Sequence, residues 1–138
     1  CDASASALAV AQENAQDLGI TNVQFVESDW FSSLTGQRFD VIVSNPPYVA
    51  SGDQHLLEGD VRFEPITALA SGSDGLDDIR NIVAQAGSHL RQNGWLLLEH
   101  GYDQADRVRK LLLYSGFSSV YSAKDLASIE RCSGGQRL

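Results

Sequence analysis

Positive charge is scarce in this sequence. Ten Lys and Arg stand against eighteen Asp and Glu, a formal net charge of −8 over 138 residues. That balance disfavours a partner held mainly through phosphates, which needs clustered cations, so direct nucleic-acid binding is not expected. Cysteine is rarer still. Cys1 and Cys132 lie far apart and outside any CxxC or Cys/His spacing, so neither a disulfide framework nor a metal site is indicated, and a reducing cytoplasm fits best. No apolar run approaches the length of a membrane span, and no basic, then apolar, then small-residue leader opens the chain. The expectation is a soluble protein away from the membrane. Methionine is absent, and Cys1-Asp2 directly precedes a helical pattern, as in a fragment of a longer chain. With 43% hydrophobic residues, one compact domain with a substantial core is the default.

The apolar spacing predicts a helix over residues 3–18, with Ala7, Leu8, Ala11, Ala15 and Leu18 on one stripe and Gly19 as its stop. Residues 23–26 read as a strand ending near Glu27. The nearly continuous apolar run over 39–44, halted by two prolines, reads as a central strand covered on both faces. Residues 46–74 lack periodicity, and a connection this long is usually functional. A second helix is predicted over 77–90, through Ile79, Ile82, Val83 and Ala86, with Asn93-Gly94 closing it. A strand over 95–99, a helix over 103–114 and strands over 117–122 and 129–132 complete the pattern. Gly134-Gly135-Gln136 reads as a loop. Alternating strands and helices indicate a doubly wound α/β layer with a mostly parallel sheet, whose ligands sit at the carboxyl ends of its strands.

Asn45-Pro46-Pro47-Tyr48 follows the strand at such an end. The prolines stiffen the loop and contribute no amide hydrogens. The Asn45 side-chain oxygen and the Pro46 carbonyl can then accept the two hydrogens of one NH2 group, with Tyr48 as a flat wall. An amide nitrogen is a poor nucleophile because its lone pair is delocalised. Two acceptors on its N–H bonds favour a pyramidal nitrogen aimed at an electrophilic methyl, so positioning and electrostatics do most of the catalysis. The bland alternative is that Pro-Pro merely stops a strand. Asp2 reads equally as a ligand of cofactor ribose hydroxyls or as a helix N-cap. Asp29 and Trp30, at the next strand end, suit an adenine amino group and ring, or a turn and the core. Arg62-Phe63-Glu64-Pro65 is a charged, aromatic cluster suited to ordering a lid, or a surface ion pair over a buried Phe. In Glu99-His100-Gly101 the histidine reads more readily as structural than as an acid or base.

Asn45-Pro46-Pro47-Tyr48, Gly59-Asp60-Val61-Arg62-Phe63-Glu64-Pro65 and Leu96-Leu97-Leu98-Glu99-His100-Gly101 together resemble the HemK/PrmC family of peptide-chain release factor glutamine methyltransferases. The resemblance implies a Rossmann-like class I S-adenosylmethionine-dependent methyltransferase fold. It also implies methylation of the glutamine amide in the Gly-Gly-Gln motif of release factors, with S-adenosyl-L-methionine converted to S-adenosyl-L-homocysteine. Carried over by position, Asp2 would bind the cofactor ribose, Asp29 and Trp30 would lie near adenine, and Asn45 would face both cofactor and substrate. Asn45, Pro46 and Tyr48 would be catalytic. Pro47 would line the substrate pocket, and Arg62, Phe63 and Glu64 would lie near it or support its loop.

Two departures stand out. The family's N-terminal helical domain, and its first strand with a Gly-rich loop, have no counterpart in these residues. The whole of residues 1–138 would be the C-terminal portion of a catalytic domain. Such a piece is expected to be inactive alone, and to fold loosely or self-associate through open strand edges. Two other readings stay open: a DNA or RNA amino-methyltransferase using the same proline loop, and a non-catalytic α/β remnant.

Overall fold

A computed structural model describes residues 1–53 and 68–138. The chain forms two compact units, Cys1–Gln37 and Arg38–Leu138.

In the first unit, helix α1 spans Ala5–Asp17. It starts two residues later than the apolar stripe suggests because Ser4, not Asp2, is its cap: Ser4 Oγ accepts from the amide of Ala7 at 3.2 Å. Gly19, at φ 65, ends it in the left-handed conformation that glycine adopts without a Cβ penalty. Leu8 and Ala15 are its buried residues. The strand expected over 23–26 does not form as such. The segment makes a single parallel bridge, Asp2 to Glu27, because a strand is defined by its partner and Asp2 supplies one residue of it.

The second unit is a four-stranded sheet flanked by two helices. Strand β1 (Phe39–Ser44) leads through the proline loop to helix α2 (Asp77–His89) and strand β2 (Leu90–Glu99). Helix α3 (Ala105–Tyr114), strand β3 (Phe117–Lys124) and strand β4 (Glu130–Arg137) follow. The order is β1-β2-β4-β3. β1 and β2 are parallel, whereas β4 runs antiparallel to both β2 and β3. The α/β class is as expected, and the sheet is mixed rather than mostly parallel. β4 is also twice the expected length and contains Gly134, Gly135 and Gln136, so this triplet is sheet interior and not a loop.

β1 is an edge among the described strands, not a centre. Val41 is 50% exposed and Val43 73%, because β1 is hydrogen-bonded to a strand on one flank only. At its other end Phe39 pairs with Leu90 and Val41 with Trp95, so residues 91–94 bulge out opposite Asp40. Asn93-Gly94 lies in this bulge, with Asn93 at φ 63. It does not close α2, which ends at His89 as β2 begins.

The core follows the helical stripes. Ile79, Ile82, Val83 and Ala86 of α2 and Val108 and Leu112 of α3 are buried with Leu96 and Leu98 of β2. α2 packs on β2, and α3 on β3 and β4. Each fully buried aliphatic side chain contributes about 1.5–3 kcal/mol, enough to hold the carboxyl ends of β1 and β2 side by side. No helix among the described residues is long and apolar enough to cross a membrane.

Candidate functional site

The carboxyl end of β1 runs straight into Asn45-Pro46-Pro47-Tyr48. Pro46 is buried, Pro47 and Tyr48 are half-buried, and Asn45 is exposed. Proline fixes φ, so one buried and one half-buried ring leave Asn45 on a stiff ledge. The exposed Asn45 side chain has no hydrogen-bond partner among the described residues. Beyond the ledge the chain is tied down. The Val49 amide donates to Leu69 O, the Ser71 amide to Val49 O and the Ser51 amide to Gly72 O, at 2.8–2.9 Å.

Tyr48 is held at both ends. Its hydroxyl donates to Glu99 Oε1 at 3.3 Å, and its carbonyl accepts from Gln104 Nε2 at 2.9 Å. Burial pushes the phenol above its ordinary value; the Glu99 carboxylate raises it further, and Arg131 pulls it back. Tyr48 is therefore a neutral donor at physiological pH. A cleft of about 250 Å3 opens beside it, lined in part by Asp53, Asp74, Tyr102, Arg107 and Arg131. Gly75, at φ 74, packs directly against the same carbonyl: a Cβ there would lie 2.3 Å from Tyr48 O.

In the first unit the bridge sets Asp2 beside the turn that carries Asp29 and Trp30. The Asp2 amide donates to Val26 O and its carbonyl accepts from the Ser28 amide at 3.0 Å. Asp2 Oδ1 accepts from the Ser4 amide at 2.8 Å, which leaves its second oxygen for a ligand. Ser28, nearly fully buried, builds the turn by donating to Trp30 O at 2.8 Å and accepting from the Ser33 amide at 3.0 Å. Trp30 sits at φ 49, a left-handed conformation that costs a bulky residue roughly 1–2 kcal/mol. Two exposed carboxylates and a half-buried indole suit a nucleoside, whose hydroxyl and amino groups donate and whose ring stacks.

His100 is fully buried. Its Nδ1 lies 2.9 Å from the Gly101 carbonyl, so this nitrogen carries the proton and Nε2 accepts from Ser133 Oγ at 2.8 Å. Ser133 in turn accepts from Ser122 at 2.7 Å, and Ser122 from Arg109 at 2.6 Å. A fully engaged histidine is structural. Arg62, Phe63 and Glu64 lie outside the described residues. Gln104, Glu99, Gly75 and Ser28 were not singled out from the sequence for these roles; Glu99, at the end of an apolar strand, carried the only readable signal.

The family described as "Methyltransferase small domain" matches residues 1–60. A protein named release factor glutamine methyltransferase, from Pseudomonas aeruginosa, is 58% identical over 130 residues, covering 94% of this chain and 47% of that protein. The chain spans about half the length of the curated relatives it matches. Among solved structures, a release factor-specific protein-(glutamine-N5) methyltransferase from Alicyclobacillus acidocaldarius is 25% identical with a TM-score of 0.52, covering 93% of this chain and 72% of that one. A T. thermophilus 16S rRNA N2 G1207 methyltransferase, solved with AdoMet and guanosine, is 21% identical with a TM-score of 0.60, covering 95% and 29%. The fold is thus part of the class I methyltransferase fold.

Proposed function

We propose that the chain, 58% identical over 130 residues to a protein named release factor glutamine methyltransferase and spanning about half the length of such relatives, carries the amide-binding part of an S-adenosylmethionine-dependent protein-glutamine N-methyltransferase. The substrate is the glutamine side chain of the Gly-Gly-Gln motif in peptide-chain release factors. The observation that carries the reading is the exposed Asn45 amide, without a hydrogen-bond partner among the described residues, on a proline ledge at the end of β1.

Bound S-adenosyl-L-methionine supplies an electrophilic methyl group and leaves as S-adenosyl-L-homocysteine. Asp2 accepts from its ribose hydroxyls through the carboxylate oxygen that Ser4 leaves open. Asp29 accepts from the adenine amino group, and Trp30 covers the ring. Asn45 Oδ1 and the Pro46 carbonyl each accept one N–H of the glutamine amide. That pair of bonds opposes delocalisation of the nitrogen lone pair and fixes its direction. Tyr48, kept neutral, forms a wall of the pocket with Pro47. No strong base is needed, because the transferred methyl leaves the nitrogen cationic and its proton acidic enough to pass to solvent water, giving the neutral N-methyl amide.

A nucleic-acid amino-methyltransferase is the second reading, favoured by the shared fold of the rRNA guanosine enzyme. The net charge of −8 speaks against it, since a flipped-base enzyme needs a cationic groove. The test uses the full-length protein with labelled S-adenosylmethionine and a release-factor domain carrying either Gly-Gly-Gln or a Gln→Ala control. Label on the Gln form alone, lost in Asn45→Ala, is the expected result. Label on RNA or DNA but not protein would overturn the reading.

A further inference from the structure

Gln104 occupies the cap position of α3, yet its side chain makes no capping bond to that helix. It is 3% exposed and turns toward the proline loop. Its Oε1 accepts from the Gly101 amide at 2.8 Å. Its Nε2 faces three carbonyls: Tyr48 O at 2.9 Å, Gly75 O at 3.3 Å and Asp74 O at 3.4 Å. Those partners fix the amide's orientation, since only NH2 satisfies a cluster of acceptors and only C=O satisfies an N–H. Space is fixed as well. A Cβ on Gly75 would lie 2.7 Å from Gln104 Nε2, and one on Gly101 would lie 3.1 Å from its Oε1.

Resting on the amide-methyltransferase reading, we infer that Gln104 is a positioning residue for the reaction. It clamps the Tyr48 carbonyl to the end of β2 and to the 74–75 turn, and so sets where the Asn45–Tyr48 ledge presents its acceptors. It touches neither substrate nor cofactor. Its effect runs through the loop backbone, and the one chemical property required is a side chain that donates on one side and accepts on the other.

The experiment uses the full-length protein with Gln104→Glu, the same size with an acceptor where NH2 stood, and Gln104→Met, similar in size and apolar. Gln104→Glu turns a carboxylate oxygen onto three carbonyls and is expected to lower kcat about a hundredfold, the scale of a small misplacement of reacting groups. Gln104→Met, which loses the bond without adding repulsion, is expected to lose about tenfold. KM for S-adenosylmethionine stays within about twofold of wild type, because uniform binding is untouched. The Glu variant's deficit shrinks as the pH falls through the carboxylate range, since a protonated carboxyl again donates to Tyr48 O. Deuterium exchange over 48–51 and 71–75 quickens in both variants.

Wild-type kcat in both variants, or losses that only track the unfolded fraction, would overturn the inference. Unchanged exchange over 48–51 would overturn it whatever the activity. If the wild-type protein transfers no methyl to a release factor yet exchange quickens in both variants, the clamp stands and the substrate assignment is what fails.

Discussion

Asn45 is exposed while the residue after it is buried, so its side chain stands free of the packing that holds the ledge. Asn45→Ala should therefore separate chemistry from stability. Methyl transfer should drop by about 10²–10³ in kcat, the loss typical of removing one preorganised polar contact. Stability should stay within about 0.5 kcal/mol, as for an ordinary surface change. Label incorporation and thermal melting on the same preparation check both halves. Tyr48 behaves differently because its hydroxyl is tied to Glu99. Its proton is held more tightly in the folded chain than in the unfolded one, owing first to burial and then to the Glu99 charge. The resulting stability is whole below the ordinary phenol value and is lost as the pH rises through the folded one. Glu99→Gln removes the charge and should narrow that alkaline window. An ultraviolet difference titration against Tyr48→Phe would detect this, and an unchanged titration would show that Glu99 has no electrostatic hold on the phenol.

At the scale of elements, the turn over 72–75 packs against the ledge, with Gly72 O accepting from the Ser51 amide and Gly75 lying against Tyr48 O. Gly75→Ala sets a Cβ 2.3 Å from Tyr48 O at φ 74, so carbonyl and turn must move apart. The expected cost is about 1–3 kcal/mol from left-handed strain and overpacking, read as a lower melting temperature with kcat reduced alongside. The elements with a one-sided apolar period were legible in the sequence: Ile79, Ile82, Val83 and Ala86 repeat as a helix requires and are all buried. The extent of β4 was not, because Ser133, Gly134 and Gly135 carry no apolar signal. Their space in the sheet is filled by neighbours, with Leu97 and Tyr121 against Gly134 and Phe117 against Gly135. A Gly134→Val substitution should accordingly disrupt the sheet more than any surface change. The position of Asn45-Pro46-Pro47-Tyr48 at the carboxyl end of β1 was legible because its residues are contiguous with the apolar run before them. The Gln104 clamp was not, because it joins carbonyls at positions 48, 74 and 75 that no local spacing brings together. Ser4 displaced Asp2 as the cap of α1 for a similar reason, since Asp2 is drawn into the bridge with Glu27.

For the molecule as a whole, the acidic surface and the bare edge of β1 act against each other. Val41 and Val43 alternate outward along an edge whose second flank has no strand bonded to it among the described residues, the kind of edge on which other chains pair. The isolated 1–138 chain should therefore sediment as concentration-dependent oligomers. Val43→Lys, which sets a charge on that edge, should shift it toward monomer; a monomer at all concentrations without the substitution would show that net repulsion prevails. The sheet order has a further consequence for biosynthesis. β4 is last in sequence but lies between β2 and β3, so β3 leaves the ribosome with no strand to join until residues 130–137 follow it. The second unit is committed to closing its sheet late, and a nascent chain stalled before Glu130 would present a half-built core to the chaperones that meet it.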